Sequence, residues 1–256
     1  MIDAFCYNGE KDLLRLRLEI LNEHVDTFLI CEAKTTFSGN KKPLYFFRDQ
    51  RLFKKWWPKI EHYVIDEDYT VEEVQQAYQS ELTKGDGHWK REFLQKESVK
   101  KGLKKLNLSD DTRMYIGDVD EIWTPYTNTE PARLKLRVYT YYLNNRSSEE
   151  FWGTFTALWG QIKDECLNQM KADALKTSDY HGSHFTSMGG IEEVRRKLRD
   201  SYSENTYNRK HVTDWLETNM ALNRDFLGRN FTYTKSEEDW PQFLKENRVK
   251  YKHLCR

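Results

Sequence analysis

The sequence lacks three features that would mark a membrane, secreted or disulfide-linked protein. No segment approaches the ~20 consecutive apolar residues that a membrane-spanning helix needs. The opening residues MIDAFCYNGE lack the basic start and apolar stretch of a secretion signal. The cysteines show no paired spacing, so we expect reduced thiols at Cys6, Cys31, Cys166 and Cys255. These absences predict a cytoplasmic protein without a transmembrane segment.

The sequence also lacks an excess of either charge. Lysine and arginine total 41 residues, aspartate and glutamate also total 41, and the formal net charge is zero. A neutral chain without a basic stripe does not favour nucleic acid as a partner. No linker rich in proline, glycine or serine divides the 256 residues. One domain is therefore the simplest prediction, and the oligomeric state is left open.

Strand-like and helix-like patterns alternate in the first half of the chain. The strand candidates are residues 2–7, 26–32, 60–68 and 113–118. Leucines recur at helical spacing in EKDLLRLRLEIL, Thr70 and Glu73 form a capping box, and a further helix is predicted over about 89–106. This alternation predicts an α/β fold with a largely parallel sheet and helices on both faces.

The pattern changes after Pro131. The segments LKLRVYTYYLNN and FWGTFTALWG are typical of antiparallel strands, and we predict mostly helix for the remainder. Ligands of open α/β sheets bind beyond the carboxyl ends of the strands. The polar residues at those ends are Asn8, Glu32, Asp66 and Asp118. We therefore predict the binding site at that edge of the sheet.

An acidic turn follows the fourth strand in RMYIGDVDEIW, with carboxylates at Asp118, Asp120 and Glu121. Like charges this close raise each other's pKa unless a cation or hydrogen bonds hold them ionised. Gly117 would allow a ligand to approach the backbone closely. Carboxylate oxygens suit Mg²⁺ or Mn²⁺, which take their other ligands from water and substrate phosphates. The residues alone leave two alternatives, a solvated turn and a metal–phosphate site.

A second acidic segment, 66–68, follows the third strand candidate. It contains Asp66, Glu67 and Asp68, but it has no glycine and leads directly into the helix that Thr70 caps. We interpret it as a solvated loop, because a bare Asp-x-Asp occurs by chance in a chain of this composition.

Three segments of the sequence together resemble a known family. They are YNGEKDLLRLRLEIL with VDTFLICEAKTTFSGNKKPLYF, the turn DVDEI, and GSHFTSMGGIEEVRRKL. Over about residues 1–125 and 180–208 they resemble glycosyltransferase family 17, which includes β-1,4-mannosyl-glycoprotein β-1,4-N-acetylglucosaminyltransferases. The resemblance implies a GT-A-type, Rossmann-like mixed sheet and transfer with inversion from a nucleotide sugar, UDP-GlcNAc, to a glycan acceptor. It also implies Mn²⁺ or Mg²⁺ as cofactor.

The resemblance also implies roles for individual residues. Asp118, Asp120 and Glu121 match the acidic metal motif, with Asp120 as the main ligand and Asp118 reaching the ribose or the metal. His184 matches the histidine of the family's Gly-Trp-His-Phe segment, which makes it a candidate for binding the metal or the diphosphate. The nucleotide-side wall would contain Asn8, Glu10 and Glu32. Residues 1–125 would then form the nucleotide-sugar half of one domain, and residues 126–256 the acceptor-side half.

Glycosyl transfer needs cations near the departing diphosphate and a base near the acceptor hydroxyl. Arg91 and Lys96 are candidates for the cations because they precede the acidic strand on a predicted helix. The candidates for the base are Glu192 and Glu193, which follow the MGG turn, and Glu204. The alternative for each of them is an ordinary exposed charge on a helix.

The sequence departs from the family pattern on the expected acceptor side. Ser183 stands where the family usually has tryptophan, Glu204 where histidine is typical, and Thr206 where glutamate is typical. Mammalian members are anchored in the Golgi membrane, so a bacterial or viral origin is expected for a chain without an anchor. Two other functions compete with glycosyl transfer: a metal-dependent phosphoesterase and a catalytically silent glycan-binding module.

Overall fold

The computed structural model describes residues 1–85, 87–202 and 206–256, and nine strands in these residues form one mixed sheet. The strands are β1 (Ile2–Cys6), β2 (Thr27–Glu32), β3 (Ile60–Val64), β4 (Arg113–Asp118), β5 (Glu121–Trp123), β6 (Ala132–Thr140), β7 (Asn145–Leu158), β8 (Leu175–Thr186) and β9 (Tyr233–Lys235). Their order across the sheet is β3-β2-β1-β4-β7-β6-β8-β5, and β9 pairs with β7.

Helices connect and cover the strands. They are α1 (Lys11–Leu21), α2 (Tyr45–Asp49), α3 (Val71–Gln79), α4 (Gly87–Glu97), α5 (Val99–Lys104), α6 (Trp159–Ile162), α7 (Leu167–Asp173), α8 (Ile191–Ser201), α9 (Lys210–Ala221) and α10 (Gln242–Glu246). Short 3₁₀ segments span Gln50–Lys59, Glu81–Thr83 and Lys252–Leu254. In the part of the chain that the structure describes, no helix has the length and apolar character to cross a membrane.

The first four strands form the parallel part of the sheet, as the sequence predicts. β1 lies between β2 and β4, and Cys6 is level with Cys31 on one side and with Asp118 on the other. β3 joins the outer edge of β2 in the same direction. The carboxyl ends of these strands therefore meet at one edge, which brings the segments that follow them close together.

Beyond β4 the sheet continues with mixed pairing. β7 pairs antiparallel with β4 and β6, which confirms the two predicted antiparallel strands. The prediction of mostly helix after them is wrong for residues 175–186, because β8 adds parallel to β6 and also pairs with β5. The first half of β8 is largely exposed and carries no alternating apolar pattern. Its strand conformation depends on hydrogen bonds to its neighbours rather than on a local signal.

The predicted helix over 89–106 is also corrected. The structure divides it into α4 and α5, which meet at Ser98. The Ser98 hydroxyl donates a 2.8 Å hydrogen bond to the carbonyl of Leu94, one turn earlier. Serine hydroxyls that bond back to the preceding turn bend helices, which accounts for the break. The capping box of α3 is confirmed, with Thr70 and Glu73 each bonding to the other's backbone.

Both faces of the parallel part are covered, as predicted. On one face, the leucines of α1 pack with Phe5, Phe28 and Tyr115. On the other face, Val99 and Leu103 of α5 pack against alternate residues of the same strands. Burial of apolar side chains on both sides explains why β1, β2 and β4 are nearly continuous apolar runs. A third, smaller cluster joins α8 to α9 beside the sheet edge.

Candidate active site

A cavity of about 240 Å³ opens at the carboxyl edge of the parallel strands. Its walls come from the ends of β1, β2 and β4, the loop after β2, and helices α4 and α8. The polar residues that line it include Asn8, Glu10, Lys42, Glu92, Gln95, Asp118, Asp120, His184, Lys197 and Asp200. The predicted location of the binding site therefore coincides with a real concavity. Trp89 also lines it and offers an aromatic surface.

Asp120 lies in the turn between β4 and β5 and is almost enclosed, with its side chain 9% exposed. Its Oδ2 is 3.0 Å from Nζ of Lys197 on α8 and 3.4 Å from Nε2 of His184 on β8. Burial acts to raise the pKa of Asp120, but Lys197 and His184 outweigh it and hold the pKa well below the usual 3.8. The carboxylate is therefore ionised at neutral pH.

Asp118 is more open, with its side chain 39% exposed at the mouth of the cavity. Its Oδ2 is 3.1 Å from Nζ of Lys96, one of the two cations predicted from the sequence. Burial would raise the pKa of Asp118, but Lys96 and then Lys171 lower it below its usual value. Each aspartate of the turn thus has its own lysine.

Glu121 is placed differently from the two aspartates and does not line the cavity. Its carboxylate is buried beneath the turn, where Oε2 accepts a 3.0 Å hydrogen bond from the Thr154 hydroxyl. A Cβ at Gly117 would overlap this carboxylate, and one at Gly153 would meet it at 2.7 Å. The expectation that Gly117 serves the approach of a ligand is corrected, since the space beside it is taken by Glu121.

His184 bridges the acidic turn and the apolar wall. Its ring stacks on Phe151 at 4.2 Å between ring centres. Burial acts to lower the pKa of His184, but Asp120 raises it above the usual 6.5. Its Nδ1 atom is buried and has no hydrogen-bond partner among the described residues. The histidine therefore faces Asp120 with Nε2, while its second ring nitrogen has no hydrogen-bond partner in the described part of the chain.

The loop after β1 forms the wall opposite α4. Asn8 donates from Nδ2 to Asp200 at 3.3 Å, and its carbonyl accepts from Arg196 at 2.5 Å. Glu10 accepts from the Asn8 amide at 3.0 Å and lies 4.0 Å from Arg196. Burial raises the pKa of Glu10 despite the nearby Arg196. Both predicted residues of this loop line the cavity.

Two other predicted nucleotide-side residues lie outside the lining. Glu32 is buried, and both of its oxygens accept from the Phe46 amide at 3.0 Å, while His62 lies 2.9 Å away. It therefore supports the start of α2. Arg91 donates to the carbonyl of Phe37 at 2.8 Å and packs against Gly39. It holds the loop that forms the cavity's outer wall.

Two of the three predicted bases do not reach the cavity. Glu192 and Glu193 begin α8, but their side chains are 77% and 46% exposed and pair with Arg195 and Arg196. The cavity wall is formed instead by later residues of the same helix, including Lys197 and Asp200. Glu204 lies outside the described residues, so its prediction is unaffected.

Sequence reasoning missed two cations of the site. Lys197 lies in the helical run EEVRRKLRD, where it looks like one more surface charge. Lys42 lies in TFSGNKKPLYF, and its Nζ is buried without a hydrogen-bond partner among the described residues. Burial lowers the pKa of Lys42. One signal was available for Lys197, since it is one turn after Glu193 on an amphipathic helix that follows two glycines.

The model of glycosyltransferase family 17 matches residues 1–223 of the chain. The chain belongs to glycosyltransferase family 17. The match covers the acidic turn, His184 and all of α8, so every wall of the cavity lies within it. Strand β9 and helix α10 lie beyond the matched residues. No curated protein sequence matches this chain. As a member of this family, the protein is a glycosyltransferase.

Proposed function

We propose that this family 17 enzyme transfers N-acetylglucosamine from UDP-GlcNAc to a glycan hydroxyl, with inversion, in a GT-A-type fold and with a divalent metal ion. The observation that carries the proposal is the pairing of two ionised aspartates with two lysines at the carboxyl edge of a parallel sheet. The choice of donor and acceptor comes from the family likeness. A phosphoesterase function is not supported by the family match.

The residues present fit Mn²⁺ or Mg²⁺. In residues 1–85, 87–202 and 206–256, no three His, Cys, Asp or Glu side chains are grouped as a preformed metal site. A magnesium-type ion needs fewer protein ligands, since it binds through one or two carboxylates and takes the rest from water and substrate phosphates. Asp120 and Asp118 would supply those carboxylates, and Nε2 of His184 lies 3.4 Å from the Asp120 carboxylate. The bound metal would stabilise negative charge on the leaving diphosphate.

The lysines of the site have a second role in this proposal. Lys197 and Lys96 neutralise the aspartates in the absence of substrate. A diphosphate in the cavity would offer these ammonium groups stronger acceptors, because it carries more charge than a single carboxylate. Lys42 lines the cavity, and its Nζ is buried without a hydrogen-bond partner among the described residues and lies 5.2 Å from the Tyr45 ring centre, so it is positioned to bind a third anionic or polar group.

Inversion requires one carboxylate that accepts the proton of the attacking hydroxyl. Besides the turn, the cavity is lined by Glu10, Glu92 and Asp200. Glu92 is 2.8 Å from Lys96, and Asp200 accepts from Arg199 at 3.0 Å. We favour Glu10, because burial raises its pKa toward the range that suits a general base. The prediction for Glu204 remains its competitor.

The proposal is tested by incubating the purified protein with UDP-GlcNAc and a mannose-containing glycan, with Mn²⁺ or with a chelator. We expect release of UDP that requires both the metal and the acceptor, and a β-linked product by NMR. Parallel reactions with UDP-glucose and GDP-mannose test the donor. Undiminished UDP release in the presence of the chelator would contradict the proposed metal dependence. A preference for another donor would contradict only the proposed donor sugar.

A further inference from the structure

We infer that Arg17 is a positioning residue for the acidic turn 118–121, and that Asp3 and Trp123 fix the orientation of the Arg17 guanidinium. Arg17 lies on α1, and it was not among the residues that the sequence pointed to. Its side chain is fully buried, which is rare for arginine unless the charge is paired. The inference rests on the proposed function of the turn.

Arg17 binds the backbone of the turn directly. Its Nη1 donates to the carbonyls of Asp118 at 2.9 Å and Glu121 at 2.5 Å, with a longer contact of 3.4 Å to Val119. The remaining carbonyl, that of Asp120, accepts from the Phe185 amide of β8 at 2.8 Å. All four carbonyls of the turn 118–121 therefore have donors, and neither donor residue lines the cavity. The side chains of Asp118 and Asp120 are left to face it.

The other side of the guanidinium is fixed by Asp3 of β1. Nε and Nη2 of Arg17 bind the two Asp3 oxygens at 2.7 and 2.6 Å, a two-pronged pair that fixes the plane of the group. Asp3 Oδ1 also accepts from Nε1 of Trp123 at 2.8 Å. The Trp123 ring stacks on Tyr115 at 3.6 Å, so it cannot turn away. The order of contacts is thus Trp123, Asp3, Arg17, and then the turn.

This arrangement does more than stabilise the core. A buried ion pair is weak evidence for stability, because the desolvation of both charges offsets their attraction. Here the third nitrogen of the guanidinium donates hydrogen bonds to carbonyls of the turn. Without Arg17 those carbonyls would be buried without donors. A lysine cannot reproduce this, since its single ammonium group cannot bind Asp3 at two points and the turn at the same time.

The experiment compares Arg17→Lys and Trp123→Phe with the matched control Arg229→Lys. Arg229 also binds a buried aspartate through two nitrogens, Asp225 at 2.8 and 3.1 Å, but at a distance from the cavity. Calorimetric titration with UDP and Mn²⁺ gives the Kd for each folded variant, and hydrogen exchange of the ligand-free proteins gives the protection of the turn amides. Thermal unfolding gives each variant's Tm.

We expect Arg17→Lys to weaken binding of UDP with Mn²⁺ at least tenfold and to lower the protection of the amides at 119–121. Trp123→Phe keeps the stacking and loses one hydrogen bond, so it should show the same changes to a smaller degree. Arg229→Lys should lower Tm and leave Kd within twofold of wild type. If Arg17→Lys fails to fold, the Kd and the turn protection of Trp123→Phe test the inference.

The inference is overturned if the Arg17→Lys protein is destabilised but keeps the wild-type Kd and the wild-type protection of the turn amides. The same result in Trp123→Phe overturns it if Arg17→Lys does not fold. The ion pair would then have a structural role only. The proposed function fails in a different way, namely if the wild-type protein binds neither UDP nor Mn²⁺. In that event the exchange data still report whether Arg17 holds the turn, and unchanged protection there would reject the inference as well.

Discussion

Two acidic segments of this protein follow parallel strands that end at the same edge of the sheet, yet only one faces the cavity. In the segment after β3, Asp66 and Asp68 are exposed, as the sequence predicts for a solvated loop. Glu67 accepts hydrogen bonds from Thr35 and Gln95, and the chain then enters α3. In the turn after β4, Asp120 is nearly enclosed and Asp118 and Asp120 each contact a lysine.

The difference between the segments lies in what surrounds them. The turn 118–121 contacts α1, β8 and α8, and each of them supplies a donor: Arg17, the Phe185 amide and Lys197. The loop 66–68 follows β3, which has a neighbour on one side only among the strands that the structure describes. Burial of a carboxylate is unfavourable unless a cation or hydrogen bonds pair it. A buried, paired carboxylate is therefore a stronger indication of a functional site than an exposed one.

The largest expected effect is a difference in enzyme activity between a variant of the turn 118–121 and a variant of the loop 66–68. Asp120→Asn removes the negative charge that would bind the metal, so we expect the rate of UDP release to fall at least about a hundredfold. Asp66→Asn changes the same functional group on an exposed loop and should leave the rate within about twofold of wild type, as surface substitutions usually do. Equal losses in both variants would erase the distinction between the segments. Circular dichroism of both proteins checks that they are folded.

The next effect tests whether lysine and metal compete for Asp120. Lys197→Met removes the ammonium group 3.0 Å from Asp120. We expect Mn²⁺ alone to bind several-fold more tightly, because the carboxylate is no longer neutralised, and UDP with Mn²⁺ to bind more weakly. The control is Lys101→Met, which breaks a 3.0 Å ion pair with Glu73 near the other acidic segment. Calorimetry in which Lys197→Met has wild-type Mn²⁺ affinity would argue against competition.

A smaller effect concerns stability in acid. The pKa of Asp120 is lower in the folded protein than its usual 3.8, so its contribution to stability is present above pH 3.8 and is lost as the pH falls toward the folded pKa. The loss is on the order of 2 kcal/mol. Asp120→Asn should therefore show a shallower decline of unfolding free energy below about pH 5 than wild type. Urea unfolding between pH 3 and 7 measures this slope, and identical slopes would contradict the assigned ion pairs.

The smallest effect is expected at Glu67. Glu67→Gln weakens the hydrogen bonds from Thr35 and Gln95 and should lower the free energy of unfolding by about 1 kcal/mol. The rate of UDP release should not change, since Glu67 does not line the cavity. Urea unfolding and the UDP assay give both quantities. A large loss of activity would show that the segment 66–68 also serves the site.

Much of the site was predictable because its signals are local. Strands β1 to β4, the capping box of α3 and the position of Asp118 and Asp120 at a strand end can all be read from short stretches of sequence. Glu121 was not predictable in this way, since only the folded structure shows its carboxylate buried against Thr154. Strand β8 was missed because its first half has no apolar alternation.

By itself, the amino-acid sequence determined the alternation of strands and helices, the parallel half of the sheet, and the acidic turn at its carboxyl edge, because each depends on residues close together in the chain. The tertiary structure decided which acidic residues face the cavity and which cations meet them. Arg17 and Lys197 come to the turn from helices 101 residues before Asp118 and 77 residues after Asp120. Such contacts depend on how α1 and α8 pack against the sheet, and a local pattern carries no record of that packing.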